Sequence, residues 1–231
     1  MNLYFLVEGK TESKVYPAWL AYLLPGFGRI ASPDDARDNH YYLVSGGGYP
    51  SIVHRHLPNA IADINHYGNF HYLVLVIDSD SDSAMEKREE VIGHISELPE
   101  AKRLFPGCEL EIIVQQRCME TWFLGNDAIL PKNSNQKETI PYLRHFDVSK
   151  NNPERMRKPA GFIGTDAVYH FQYLKQILRE RESSYSKKMP SIVKEKYYLD
   201  ALKERISRNS DHLITLKMFF DFCDSKALYS T

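Results

Sequence analysis

His71–Asp82, HYLVLVIDSDSD, is the stretch that decides how this chain is read. Tyr72 to Ile77 form an unbroken apolar run, mostly β-branched or aromatic, which is the pattern of a strand buried on both faces inside a parallel sheet. The run ends in carboxylates at alternate positions, Asp78, Asp80 and Asp82. Loops at the carboxyl ends of strands in open α/β sheets are where such proteins place their ligands. Carboxylates that close repel one another unless a cation sits among them. Hard oxygen donors completed by water and phosphate are what Mg²⁺ requires. The alternative is a solvated acidic turn followed by a helix, with Asp82 as its N-cap.

Outward from that strand the same alternation repeats. Asn2–Val7 (NLYFLV) reads as a first buried strand, stopped by Glu8-Gly9, and Glu12–Leu24 as a helix with Val15, Trp19, Tyr22 and Leu23 at helical spacing. A polar loop over residues 31–40 leads to a second strand, Tyr41–Val44. Ser45-Gly46-Gly47-Gly48-Tyr49-Pro50 then opens a helix over Ser51–His66. That glycine run has the spacing of neither common phosphate loop, and a tight backbone crossing is the better reading. After the strand at Tyr72–Ile77 come a charged helix from Ala84 to Leu98 and a fourth strand, Glu109–Val114. Met119, Trp122 and Phe123 then face the core from the start of another helix. Strands alternating with helices imply βαβ units and a mostly parallel sheet.

Beyond Asn126 the chain is polar, rich in Asn, Lys and Pro, and reads as loops up to Pro159. Three helical patterns follow, over Asp166–Arg181, Ser191–Ser207 and Leu213–Phe222, with Asp211 as the expected cap of the last. We divide the chain into an α/β domain at 1–130 and a basic helical extension at 131–231, packed on the sheet and not an independent fold. The charge supports this division. Residues 1–130 carry 10 Lys/Arg against 18 Asp/Glu, a net of −8, and residues 131–231 carry 19 against 12, a net of +7. An acidic half beside a basic half suits a protein that holds cations with one part and meets a polyanion with the other.

Hydrophobic content of 43% is enough for a real core. Three widely spaced cysteines without a CxxC suggest neither a disulfide framework nor a zinc site, and a reducing cytoplasm is the expected home. The apolar N-terminal run is too short for a signal peptide, and no stretch reaches transmembrane length, so no membrane role is expected. His54 and His56 lie two apart in a helix and face different ways, which makes them poor zinc co-ligands. Ser45 and Cys118 lack a base nearby in sequence and are set aside as nucleophiles.

Glu8 follows the first strand, Asp78 and Asp80 the third, and Glu120 the fourth. In a parallel sheet these ends share one edge. Acidic groups gathered there have one chemical use above others, holding divalent cations for phosphoryl chemistry. This arrangement resembles a TOPRIM domain, the metal-binding module of topoisomerases, primases and several nucleases. Glu8-Gly9-Lys10-Thr11-Glu12 is similar to the OLD-type branch of TOPRIM nucleases. Cys118-Met119-Glu120-Thr121-Trp122 resembles small stand-alone TOPRIM-like proteins of bacterial anti-phage systems, some of which work beside an ABC-type or other ATPase. The likeness covers about residues 1–124 and implies a TOPRIM-like Rossmannoid α/β domain with a helical C-terminal extension.

The resemblance implies that Glu8 binds metal and acts as general acid or base, and that Asp78 and Asp80 hold Mg²⁺ or Mn²⁺. It also implies that Glu12 is the second glutamate of the OLD-type pattern and Glu120 the downstream acidic ligand. Asp82 stays open between ligand and cap. The late lysine of OLD-type enzymes has no single counterpart here; Lys158, Lys10 and Arg117 are the candidates. The expected activity is metal-dependent phosphodiester hydrolysis of nucleic acid, DNA or RNA (tRNA included), under the control of an ATPase partner. Lys10, Arg117, Arg155, Arg157 and Lys158 are the expected nucleic-acid contacts, the cluster at Arg155–Lys158 foremost. The alternatives are a non-catalytic subunit of an ATPase complex, and another TOPRIM phosphoryl-transfer enzyme such as a primase-like polymerase.

Overall fold

The structure is a computed structural model and describes residues 1–100, 103–129 and 138–228. The chain packs as two compact units. One comprises Met1–Ile77, Met85–Val114 and the chain from Phe219 onward; the other comprises Asp78–Ala84 and Gln115–Met218. The expected boundary at 130–131 lies outside the described residues.

The first unit is built on a sheet of five parallel strands, β1 (Asn2–Val7), β2 (Gly28–Ile30), β3 (His40–Ser45), β4 (Tyr72–Asp78) and β5 (Glu109–Gln115). Their order is β2-β3-β1-β4-β5. Leu3 to Val7 pair with Tyr72 to Val76 on one side and Asn2 to Val7 with His40 to Ser45 on the other. β1 is buried throughout, as is β4 from Leu73 to Ile77. This is why both read as continuous apolar runs: each has a strand on both edges, and its side chains are buried on both faces over those residues. α1 (Glu12–Leu23) turns Val15, Tyr16, Trp19, Leu20 and Leu23 inward, and α2 (Leu57–Tyr67) turns Leu57, Ala60, Ile61 and Ile64 inward. α3 (Ala84–Ser96) buries Lys87 and Val91. Asn2 ties the amino-terminal edge together: its N–H donates to His71 Nδ1 (3.0 Å), its amide to Asn69 O (2.9 Å), and its Oδ1 accepts from His40 N (3.0 Å).

From β1 the chain moves to β2 and β3 on one side, then crosses to β4 and β5 on the other. The order therefore reverses between β1 and β4, and the carboxyl ends of strands at such a reversal are where open α/β sheets bind ligands.

The second unit contains α4 (Met119–Phe123), α5 (Ile140–His145), α6 (Asp166–Glu180), α7 (Lys196–Arg208) and the first turn of α8 (Ile214–Ala227). Trp122, Phe123, Leu174, Ile177, Tyr198 and Leu202 form its core. Tyr198 Oη donates to Phe123 O (2.7 Å). Arg205 is buried at its centre and donates to the carbonyls of Gly125 (3.2 Å), Val148 (2.7 Å) and Asn151 (2.8 Å). A planar fork with five donors can satisfy several orphan carbonyls at once, which a lysine cannot.

Four local expectations are corrected. β2 (Gly28–Ile30) is a strand that the sequence reading did not assign, between the end of the first helix and the polar loop at 31–40; it is three residues long and mostly exposed, so it shows no apolar run. The region expected as loops holds the short helix α5. The single helix expected over Ser191–Ser207 is broken, because Glu195 is extended (φ −71°, ψ 145°) between a turn at Ser191–Lys194 and α7. Asp211 does not cap α8. Glu154 does: its carboxylate accepts from Ile214 N (2.7 Å), Thr215 N (3.0 Å) and Thr215 Oγ1 (2.6 Å). Burial pushes the Glu154 carboxyl upward against those bonds. No described helix is long and apolar enough to cross a membrane.

Candidate functional site

In the first unit, Glu8 is the residue after β1 and is partly exposed. The glycine-rich turn folds over it. Gly48 N–H donates to Glu8 O (2.8 Å) and Tyr49 N–H to Glu8 Oε1 (3.3 Å). Gly47 (φ +72°) and Gly48 (φ +96°) take left-handed conformations that glycine adopts without a Cβ clash. The tight crossing expected there is thus present, and its N–H groups serve Glu8.

Glu12 opens α1 and is buried, with its carboxylate against Gly9; a Cβ on Gly9 would lie 2.7 Å from Glu12 Oε2. A side chain at position 9 would therefore displace the Glu12 carboxylate, a coupling the sequence pattern leaves unspoken. Lys10 is exposed. Tyr49 also hydrogen-bonds Glu90 through its hydroxyl. Lys87, 4% exposed, pairs with Glu90 (2.7 Å) and sits 4.2 Å from the centre of the Tyr49 ring. Burial alone would raise the Glu90 carboxyl, but bonds from Lys87 and Tyr49 hold it below the usual range. Lys87 and Tyr49 were not expected here: a lysine in a charged helix gives no sign of burial.

In the second unit, the turn after β4 is zipped to the turn after β5. Ser79 N–H donates to Gln115 O (2.9 Å), Asp80 N–H to Arg117 O (3.0 Å), and Arg117 N–H to Ser79 Oγ (2.8 Å). Asp80 (φ +51°) and Arg117 (φ +69°) are both left-handed. The Arg117 side chain, 6% exposed, reaches the carbonyls of Asp80 (3.1 Å) and Asp82 (2.6 Å). Gln116 bridges the same turn, donating to Asp82 O (3.3 Å) and accepting from Ala84 N (3.0 Å). Asp78 and Asp82 are partly exposed and Asp80 is exposed.

Glu120 is 1% exposed; Tyr185 Oη donates to its Oε1 (2.9 Å), and Lys187 lies 3.8 Å from the same oxygen. The Cys118 thiol is pushed well above its ordinary value, first by burial and then by the negative charges of Glu120 and Asp78. These two expected ligands therefore share one neighbourhood, around Cys118.

Of the expected nucleic-acid contacts, Arg117, Arg157 and Lys158 converge on Asp166. Arg157 Nη1 is 2.9 Å from Asp166 Oδ2, Lys158 N–H donates to Oδ1 (2.8 Å), and Arg117 Nε is 3.9 Å away. Arg157 also donates to Ser81 O (3.1 Å). Burial would raise Asp166, but the Lys158 N–H and Arg157 bring it below its ordinary value. Arg155 is exposed and pairs with Asp211 (3.6 Å). One turn along α6, His170 is fully buried and shares a 2.7 Å hydrogen bond with Thr121.

No family model matches this chain, and no curated protein or solved structure does either. The chemistry must be judged from the residues themselves. Their donor type suits Mg²⁺ or Mn²⁺, since hard carboxylate oxygens follow β1, β4 and β5. Among the described residues, however, no three His, Cys, Asp or Glu side chains already stand together as a metal cluster. The fit is one of donor chemistry and strand placement, not of preformed coordination.

Proposed function

We propose that this protein is a TOPRIM-like nuclease that cleaves phosphodiester bonds with Mg²⁺ or Mn²⁺. One observation carries the reading: the strand order reverses between β1 and β4, and at their carboxyl ends Glu8 follows β1 and Asp78 closes β4. Asp80 follows on the turn zipped to Arg117, and Glu120 follows β5. In this reading Glu8, Asp78 and Asp80 hold the ion, with Glu12, Asp82 and Glu120 as further acidic donors. A bound divalent ion would supply charge neutralisation and an acidified water. The chain's own share is orientation. Tyr49 N–H aims the Glu8 carboxylate, and Arg117 holds the Asp80–Asp82 turn by its carbonyls. Arg155, Arg157 and Lys158 provide positive charge for a phosphate backbone. The setting that the resemblance suggests is an anti-phage or toxin-like effector held in check by an ATPase.

The test is incubation of purified protein with plasmid, single-stranded DNA and total tRNA, with Mn²⁺ and with EDTA. Cleavage is expected with Mn²⁺ only, and is lost in Glu8→Ala and in Asp78→Ala/Asp80→Ala proteins that keep their melting temperature. Normal cutting by those variants would end the assignment.

The internal pairing of Glu120 with Tyr185 and Lys187 favours a second reading, a non-catalytic subunit whose acidic edge binds a partner. Calorimetry separates the two. The nuclease takes up Mn²⁺ and loses that uptake on Asp78→Ala, whereas the interaction subunit takes up none.

A further inference from the structure

In the second unit a pocket of about 380 Å³ opens between α5, α6 and the loop from Arg157 to Gly164, lined by Tyr142, His145, Pro159, Phe162 and Tyr169, with Glu138 at one side. Its volume falls in the range of small-ligand sites, roughly 300–1,000 Å³. The ring geometry is that of a box. Tyr169 forms the floor. Phe162 (5.2 Å, 76°) and His145 (5.5 Å, 89°) stand edge-on to it, and Tyr142 (5.3 Å, 32°) extends it. The walls are braced from behind, since Tyr142 stacks on Tyr173 (4.9 Å, 24°) and His145 Nε2 bonds Arg157 O (2.8 Å).

The loop beside the box has its own signature. Gly161 (φ +83°) and Gly164 (φ +138°) bracket Phe162-Ile163, and Ile163 is 96% exposed. Two left-handed glycines thus hold an isoleucine out in water next to an open aromatic slot, a costly placement for an apolar side chain unless something covers it.

Charge decides what kind of ligand fits. An aromatic box can also hold a quaternary ammonium group, with cation–π attraction as the force. Here the acidic groups of the region are already engaged. Glu138 pairs with Arg179 (3.4 Å), Asp147 pairs with Lys150 (3.1 Å), and Glu154 is buried as the cap of α8. Lys158 sets its ammonium on Phe162 O at the pocket (3.0 Å), Arg144 is exposed on α5 beside the lining residue His145, and Asp166 is taken up by Arg157 (2.9 Å). Aromatic rings in a stretch where residues 131–231 carry a net charge of +7 suit a flat heterocycle carried on an anionic chain. Stacking on aromatic faces with phosphates on cations is how single strands are held without sequence preference.

We propose that this pocket receives a nucleobase of a single-stranded nucleic acid, stacked on the Phe162 ring with Tyr142 and Tyr169 at its edge, and with Ile163 wedged against the neighbouring base. The idea rests on the nuclease reading for the source of the base, but binding is measurable without catalysis.

The experiment is fluorescence anisotropy on the full chain in EDTA, with labelled oligo(dA) of roughly ten nucleotides, inside the usual single-strand site sizes. An abasic strand of the same length and label is the second probe. Oligo(dA) is expected to bind more tightly than the abasic strand. Phe162→Ala should weaken oligo(dA) about tenfold, as loss of one base–aromatic stack does, and leave the abasic strand unchanged. Phe162→Tyr, which keeps the ring, should restore binding and guards against a folding defect.

Equal affinity for both strands, or no effect of Phe162→Ala on oligo(dA), overturns the proposal. So does capture of tetramethylammonium by the box without base-dependent binding. The two readings fail separately. Base-dependent binding without Mn²⁺-dependent cleavage sinks the nuclease alone, and cleavage without base-dependent binding sinks the pocket alone.

Discussion

His170 makes the structure's electrostatics open to a quantitative check. It is fully buried, its Nδ1 lies 2.7 Å from Thr121 Oγ1, and burial lowers its pKa from 6.5 to about 4. Asp166 works against that fall; Arg117 and Arg157 add to it. The sign follows from proton uptake. Between pH 6.5 and 4 the unfolded chain carries a proton on this imidazole and the folded chain does not, so acid favours unfolding. The stabilising contribution is complete above 6.5 and is lost as pH falls toward 4. Integrated over pH 7 to 5, the loss is about 2 kcal/mol, and below pH 4 it reaches about 3 kcal/mol. The assay is urea unfolding at several pH values for wild type and for His170→Gln, whose amide can still bond Thr121. Carboxylates and the other eight histidines titrate in both proteins, so the difference in slope isolates His170. Wild type should lose about 2 kcal/mol more than the variant from pH 7 to 5. Parallel slopes would show that the imidazole is not held neutral, and the burial argument would fail.

Other consequences are as direct. Arg205→Met leaves the carbonyls of Gly125, Val148 and Asn151 without their donor and should cost on the order of 3 kcal/mol or more, read as a lower urea midpoint. Glu154→Ala strips α8 of its cap and should cost about 2 kcal/mol, whereas Asp211→Ala should cost little, reversing the ranking expected from sequence. Gly9→Ala pushes a methyl against the Glu12 carboxylate, and on the proposed nuclease reading it should reduce Mn²⁺-dependent cleavage far more than it lowers the melting temperature. All three cysteines are buried, with Cys108 pushed up to about 12 and Cys118 raised by burial. Native protein should react slowly with DTNB and release its thiols only in denaturant.

How far the sequence could be read depended on where each contact lies along the chain. β1 and β4 were legible because burial on both faces forces a continuous apolar run, a property local to the strand. β2 was not, because pairing through three backbone residues needs no side-chain pattern. The acidic strand ends were legible as positions, but their partners were not. Tyr185 meets Glu120 across 65 residues, and Glu154 caps a helix across 60. Arg117 read as a nucleic-acid contact or a stand-in for the late lysine, because the carbonyls that hold it belong to the backbone, which leaves no mark in composition. The aromatic box was hidden for a related reason. Tyr142, Phe162 and Tyr169 are scattered through a polar region, and only the fold of that region turns their rings toward one another.

Asp80 and Arg117 face each other in left-handed conformations that glycine would occupy with less strain. A library of variants screened for heat resistance alone should therefore drift toward glycine at position 80, where the carboxylate is exposed. On the proposed nuclease reading, a screen for cleavage should hold the aspartate against that drift. Running both selections side by side would show which demand put an aspartate, and not a glycine, at the tip of this turn.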